Sequence, residues 1–303
     1  YKRWMHHFPT LYDLASADID EVLKLWEGLG YYSRARNLHK GSKEIVKGSG
    51  QLPSTYEALI KISGIGPYTA GAILSFAFQQ KAPAIDGNVE RVIARYGAIK
   101  GEVKKHPAKR RIEEVTVSLL EGETPWITME GLIELGATVC LPKKPRCELC
   151  PLKSVCRAYN EDRIEELPYK KKREKTVFLE KHVVIAFHGP LVLVERKEEG
   201  KVLGGLTEFP SLPYDANKDV DRLPNELFGF EGVYVDELPS TQQSYTKFHV
   251  DLYPTIFEME KAYLIEGYTW QKLENIEKQM TLSSGHKRVL NSLVEYFQEL
   301  RLF

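Results

Sequence analysis

Residues 59–92, LIKISGIGPYTAGAILSFAFQQKAPAIDGNVERV, read as a helix, a glycine-rich hairpin, a helix, a loop, and an aspartate opening another helix. Gly64 and Gly66 flank Ile65, so the backbone there is free to take dihedrals that residues bearing a Cβ avoid. Pro67 falls where a first helical turn tolerates a missing N–H. From Tyr68 to Phe78, helical spacing puts Ala72, Ile73 and Phe76 on one face. A hairpin whose amides point outward at a helix N-terminus suits a phosphate, and Gly64 and Gly66 are the residues expected to hold one. Any helix-to-helix turn can use glycine, so this pattern alone is a modest signal.

Asp86, in APAIDGNVERV, strengthens it. As an isolated feature Asp86 reads as the N-cap of the helix carrying Val89, Val92 and Ile93, and aspartate is among the favoured caps. A capping carboxylate faces the positive end of the helix dipole, which keeps it ionised and fixed. An anchored anion beside a phosphate-gripping hairpin suits chemistry that builds positive charge on a sugar.

Together these residues resemble the helix-hairpin-helix DNA glycosylases. GIGPYTAGAILSFAF followed by AIDGNVERV is similar to the MutY-type adenine glycosylases, which remove adenine mispaired with 8-oxoguanine. The related endonuclease III-like lyases place a lysine where Tyr68 stands. A tyrosine cannot form a Schiff base with the sugar, so the resemblance implies a monofunctional glycosylase. It assigns Asp86 to the sugar cation, with Tyr68 and Asn88 holding it in position.

Composition sets outer bounds. A chain of 303 residues accommodates two domains with full cores. Its 42 basic residues are matched by 42 acidic ones, so nucleic-acid binding would need basic residues segregated on one face. No apolar run is long enough to span a membrane, and the first residues do not form a signal peptide. All four cysteines fall between Cys140 and Cys156, against a dispersed disulfide framework. The expectation is a cytoplasmic, nucleoid-associated bacterial protein, monomeric and free of membranes.

The chain opens YKRWMHHFPT without an initiator methionine and enters a helix at Asp18, with Val22, Leu25, Trp26 and Leu29 on one stripe. The resemblance places a helix bearing a catalytic glutamate before this point, so the sequence reads as a fragment lacking its proton donor. In WEGLGYYSRARNLHK, Gly28 and Gly30 break the helix and Tyr31, Tyr32, Arg34 and Arg36 follow. Aromatics interleaved with arginines fit a surface that stacks on bases and grips phosphates, or a half-buried tyrosine pair with solvated arginines. By resemblance Tyr31 wedges into the duplex beside 8-oxoguanine and Leu29 lies against the same base. Glu134, in LIELGATVC, is by default a solvated glutamate, and by resemblance a hydrogen-bond partner of the flipped adenine.

Cys140, Cys147, Cys150 and Cys156 follow C-x6-C-x2-C-x5-C. Such clustering implies a metal site. Zinc sites usually pair two short knuckles, whereas a single loop wrapping a cubane suits an iron–sulfur cluster. The spacing matches the [4Fe–4S] loop of the same glycosylase superfamily. Lys143, Lys144 and Arg146 lie between the first two ligands and would be turned toward DNA phosphates, unless they simply line a solvated loop.

After Cys156 the composition shifts. Residues 163–175, with a basic run at 170–173, read as a linker, and its charge could track a DNA backbone. HVVIAFHGPLVLVERK reads as two strands about Gly189-Pro190, residues 248–257 as another strand, and residues 285–300 as a helix with Val289, Leu290, Leu293 and Val294 apolar. Residues 203–213, LGGLTEFPSLP, resemble the opening of a Nudix-type domain. The following YDANKDVDRLPNELFGF lacks the glutamate-rich pattern that binds magnesium for hydrolysis, which implies a reader of 8-oxoguanine instead. Where the MutY type reads that base with Phe-Ser-His, this chain has Tyr245-Thr246-Lys247, and Thr246 keeps the hydroxyl.

The expected architecture is an all-α helix-hairpin-helix domain over 1–162, with its cluster loop at 140–156, a linker at 163–175, and an α+β Nudix-like domain over 176–303. The expected substrate is double-stranded DNA with 8-oxoguanine:adenine or guanine:adenine mispairs. A related glycosylase for another mismatch and a catalytically silent lesion-DNA-binding module remain as alternatives.

Overall fold

The computed structural model describes residues 1–122, 124–169, 175–198, 200 and 202–299. The basic run at 170–173 lies outside them. The chain divides into two compact units: Lys40–Arg173, and Tyr1–His39 together with Glu174–Phe303. The first helices therefore group with the sheet, and the division falls inside one helix, Ser33–Lys47.

The helices in chain order are α1 Lys2–His7, α2 Leu11–Ser16, α3 Ile19–Trp26, α4 Ser33–Lys47, α5 Tyr56–Leu59, α6 Pro67–Ala72, α7 Gly87–Tyr96, α8 Ala108–Leu119, α9 Pro125–Thr138 and α10 Arg157–Asn160. In the Lys40–Arg173 unit, α7, α8 and α9 surround one core of Val89, Val92, Ile93, Ile112, Met129 and Leu132. The hairpin has a smaller core of Leu59, Ala70, Leu74 and Ala82. Here the structure corrects the expected stripe. Ala70 is buried in α6; Ile73–Ala77 are π-helical, and the wider turn shifts the phase, so Leu74 and Ser75 are buried while Phe76 is exposed.

The other unit is built on an eight-stranded mixed sheet: β1 Val177–His188, β2 Leu191–Arg196, β3 Thr207–Glu208, β4 Ser211–Pro213, β5 Gly232–Glu237, β6 Thr241–Tyr245, β7 Phe248–Met259 and β8 Tyr268–Lys272. β1 and β7 run parallel at its centre, in register from Val177↔Phe248 to Phe187↔Glu258. Strands covered on both faces read as continuous apolar runs, which explains VVIAF. Val183, Ile185 and Phe187 face α13 (Ser284–Glu299) through Val289, Leu290, Leu293 and Phe297. Val184 and Ala186 face α11 (Leu223–Phe228) through Leu223 and Phe228. A helix α12 (Leu273–Gln279) follows β8. The expected α+β class and the Gly189-Pro190 turn between β1 and β2 are both present.

Candidate functional site

The site in the Lys40–Arg173 unit is assembled around the N-terminus of α7. Asp86 caps that helix: its Oδ1 accepts from the backbone N–H groups of Asn88 and Val89, each at 2.8 Å. Its Oδ2 accepts from the Asn88 side-chain amide at 3.0 Å. Three donors at a helix N-terminus hold the carboxylate in one orientation, with Oδ2 still able to accept from, or bond to, a ligand.

Asn88 is itself held. Its Oδ1 accepts from Arg91 at 2.9 Å, and Gly136 of α9 approaches so closely that a Cβ there would lie 2.6 Å from the Asn88 Cβ. Arg91, 4% exposed, also donates to the carbonyls of Gly136 and Cys140, both at 2.6 Å, and of Gly87 at 3.2 Å. One helical turn on, Arg95 donates to the carbonyls of Leu141 (2.7 Å) and Leu167 (2.9 Å) and to Cys140 Sγ (3.4 Å). These two arginines tie the capped helix to the cysteine loop. Sequence reading passed over both. The available signal was a pair of arginines at i and i+4 interleaved with Val92, Ile93 and Ala94 on a helix whose other face already holds the polar residues.

Tyr68 stands at the second position of α6, 44% exposed. Further along, Gly71 lies against Pro83 and Ala84, where a Cβ would meet the Pro83 carbonyl oxygen at 2.1 Å. That contact sets the Tyr68 helix against the segment entering Asp86. Gly64 is left-handed (φ 85°) and Gly66 is the N-cap of α6, with Pro67 first in the helix. Glu134 is exposed on α9, two positions before the Gly136 that meets Asn88.

The four cysteines line one apolar cavity together with Arg95, Leu135, Pro145 and Leu152. None is in a disulfide. Burial, reinforced by neighbouring thiolates, pushes the Cys147 and Cys156 thiols up. Among the described residues no three such side chains converge closely enough to hold a single metal ion. Four cysteine sulfurs lining one cavity are a donor set that both zinc and iron–sulfur clusters use. Lys143, Lys144 and Arg146 are exposed on the same loop, Lys144 with φ 47°.

In the sheet-containing unit, α3 ends at Trp26, so Leu29 leaves the expected stripe. Gly28 (φ 90°), Gly30 (φ 64°) and Tyr31 (φ 48°) form a loop that displays Leu29 (62% exposed) and Tyr31 (78% exposed). The Arg34 guanidinium lies 5.4 Å from the ring centres of both Trp26 and Tyr31. Thr246 (φ 51°) is exposed at the two-residue turn between β6 and β7. Beneath that turn Gln243 accepts from Ser283 Oγ (2.9 Å) and the Gly285 N–H (3.2 Å), fastening the hairpin to the start of α13.

Residues 1–117 match the HhH-GPD superfamily of base excision DNA repair proteins. That stretch is thus similar to the helix-hairpin-helix glycosylase class. Within that class the chain is a relative of the MutY-type adenine DNA glycosylases. It is 36% identical over 286 residues to the adenine DNA glycosylase of Arabidopsis thaliana, covering 83% of this chain and 44% of that protein. With the adenine DNA glycosylase of Buchnera aphidicola (subsp. Schizaphis graminum) it shares 38% identity over 220 residues, 70% of this chain and 61% of the relative. The chain thus spans less than two thirds of either relative's length. Among solved structures, a thermostable thymine-DNA glycosylase is 26% identical and covers 53% of this chain and 75% of its own, with a TM-score of 0.49.

Proposed function

We propose that this chain forms part of an adenine DNA glycosylase that hydrolyses the N-glycosidic bond of adenine opposite 8-oxoguanine or guanine in duplex DNA. The observation that carries the reading is the Asp86 carboxylate, fixed by two backbone amides and the Asn88 amide at a helix N-terminus. Removing adenine requires extruding the nucleotide from the stack, at a cost of a few kcal/mol. Tyr31 and Leu29 fill the gap from the loop, and Thr246 hydrogen-bonds 8-oxoguanine. Gly64 and Gly66 receive a phosphate at the hairpin, while Lys143, Lys144 and Arg146 receive others on the cysteine loop.

As the C1′–N9 bond breaks, its electron pair leaves with the adenine, whose protonation makes it a better leaving group. The sugar becomes a cation, and Asp86 stabilises it electrostatically or traps it covalently until water adds at C1′, as in retaining glycosidases. Asn88 and Tyr68 position the carboxylate. Glu134 is the proposed contact to the adenine amine, reached once the base is flipped. A [4Fe–4S] cluster on Cys140, Cys147, Cys150 and Cys156 serves architecture in this scheme, holding the basic loop in shape. Anaerobically prepared protein is expected to contain iron and acid-labile sulfide, roughly four of each per chain. Stoichiometric zinc instead would overturn the cluster assignment.

The test of Asp86 is binding to two duplexes, each opposite 8-oxoguanine: one with a protonated pyrrolidine in place of the target sugar, one with an uncharged abasic analogue. Asp86→Asn is expected to weaken the cationic duplex about 100-fold and the neutral one little, since only the former imitates the charge that develops. Equal weakening of both would make Asp86 a helix cap and nothing more. Adenine release from matched and mispaired duplexes then assigns the substrate.

A further inference from the structure

The loop carrying Leu29 and Tyr31 is fastened to the sheet through the residue that precedes it. Glu27 follows the last turn of α3, where a carboxylate meets the negative end of the helix dipole and is disfavoured. Its compensation comes largely from sequence-distant residues. Glu27 Oε2 lies 3.6 Å from Lys287 Nζ on α13 and 3.4 Å from Lys24 Nζ, and Oε1 accepts from the Leu282 N–H at 3.3 Å. The three side chains are sheltered, at 18% exposure for Glu27, 22% for Lys24 and 28% for Lys287, so the charges are less screened than at an open surface. Lys24 also donates to the carbonyls of Glu277 (2.8 Å) and Met280 (2.7 Å) at the end of α12.

Two further contacts bracket the same loop. Asp20 and Arg196 on β2 pair through two bonds of 2.7 and 2.8 Å. Beyond the loop, Arg36 donates to the Gly204 carbonyl, against a left-handed Gly205 where a Cβ would meet the guanidinium. Between these anchors, Gly28, Gly30 and Tyr31 all have positive φ. Such a loop keeps one shape only when its two ends are held.

We infer that Glu27 is a positioning residue through which the sheet domain sets the loop that presents Tyr31, so that the domain reading the lesion also fixes the side chain entering the stack. The inference rests on the proposed wedge role of Tyr31. It needs no base excision to be tested. A duplex with 8-oxoguanine opposite adenine and 2-aminopurine as the neighbouring base reports unstacking as a rise in fluorescence on titration with the protein. Tyr31→Ala is expected to abolish the rise. Glu27→Gln, and separately Lys287→Ala, which leaves α3 intact should the first variant fold poorly, are expected to lower the unstacking equilibrium roughly fivefold in protein that remains folded by circular dichroism. Glu27→Gln added to Tyr31→Ala should have no further effect on that equilibrium.

If Glu27→Gln and Lys287→Ala both keep the wild-type signal, the inference fails while the wedge reading stands. Should residual signal in Tyr31→Ala fall by the same factor when Glu27→Gln is added, Glu27 acts independently of Tyr31 and the inference fails as well. An unchanged signal in Tyr31→Ala alone removes the wedge reading, and this inference with it.

Discussion

At the scale of single residues, Arg91 shows how much of the site rests on a side chain the substrate need not touch. Its guanidinium serves four acceptors, the Asn88 amide oxygen and the carbonyls of Gly87, Gly136 and Cys140. Burial lowers its pKa, with the Cys140 thiol opposing, yet an arginine remains charged at any physiological pH. Lysine has the charge but a compact head without the planar fork. Arg91→Lys is therefore expected to leave at least two buried carbonyls unpaired and to destabilise the protein by about 3 kcal/mol, read as a shift in denaturant midpoint with unchanged slope. A change below about 1 kcal/mol would mean that water replaces the lost donors. Asp86 was legible because an aspartate before Gly-Asn-Val is a local capping signal. Arg91 was not, because two of its four acceptors are carbonyls contributed by a helix and a loop some 45 to 49 positions away, and backbone acceptors leave no mark in a sequence.

Among the elements, α9 packs closely on the start of α7. Gly136 leaves no room for a Cβ: it would fall 2.6 Å from the Asn88 Cβ and 3.0 Å from the Asn88 backbone. Those neighbours belong to a capped helix turn that Asp86 and Arg91 already fix, so they cannot rotate away as a flexible side chain would. Gly136→Ala is expected to cost about 1–3 kcal/mol through the forced separation of the helices, although alanine has the higher helix propensity. The same variant should lose more affinity for the cationic-sugar duplex than for the neutral one, because the shift is delivered to Asn88 and Asp86. A more stable Gly136→Ala protein would show that the propensity gain wins. Glycine at this position was readable as a helix-helix contact only once the partner helix was known. Likewise the π-helical turn at Ile73–Ala77 defeats a reading made at a fixed helical period. The β1 run VVIAF needed no such knowledge to be read as a strand, since five apolar residues lie just before a Gly-Pro turn, although its burial on both faces shows only in the structure.

For the molecule as a whole, the sheet-containing unit has a pH sensitivity that its surface does not reveal. His286, fully buried at the start of α13, accepts the Phe209 N–H on Nδ1 at 3.0 Å, so the neutral ring carries its proton on Nε2, 3.8 Å from Glu208 Oε2. Burial lowers its pKa from 6.5 to about 4, with Glu208 and Glu195 opposing and Lys181 and Lys197 reinforcing. Glu208 is 2% exposed; burial disfavours its charge, but His286 when protonated, together with Ser283, Lys197 and Lys181, holds it below the usual carboxylate range. The folded state therefore refuses a proton that the unfolded chain accepts. The stability contributed by His286 is fully present above pH 6.5 and is lost as the pH falls toward about 4. Each tenfold drop in proton affinity is worth about 1.4 kcal/mol, which puts the loss on the order of 3 kcal/mol. Denaturant unfolding of the wild type and of His286→Gln, whose amide oxygen can still accept the Phe209 N–H, should diverge in their pH dependence through this window, the wild type losing more. Parallel curves would place the acid sensitivity on carboxylates elsewhere. A steeper fall in the variant would show that the buried imidazole gains a proton on folding, reversing the sign argued from its burial.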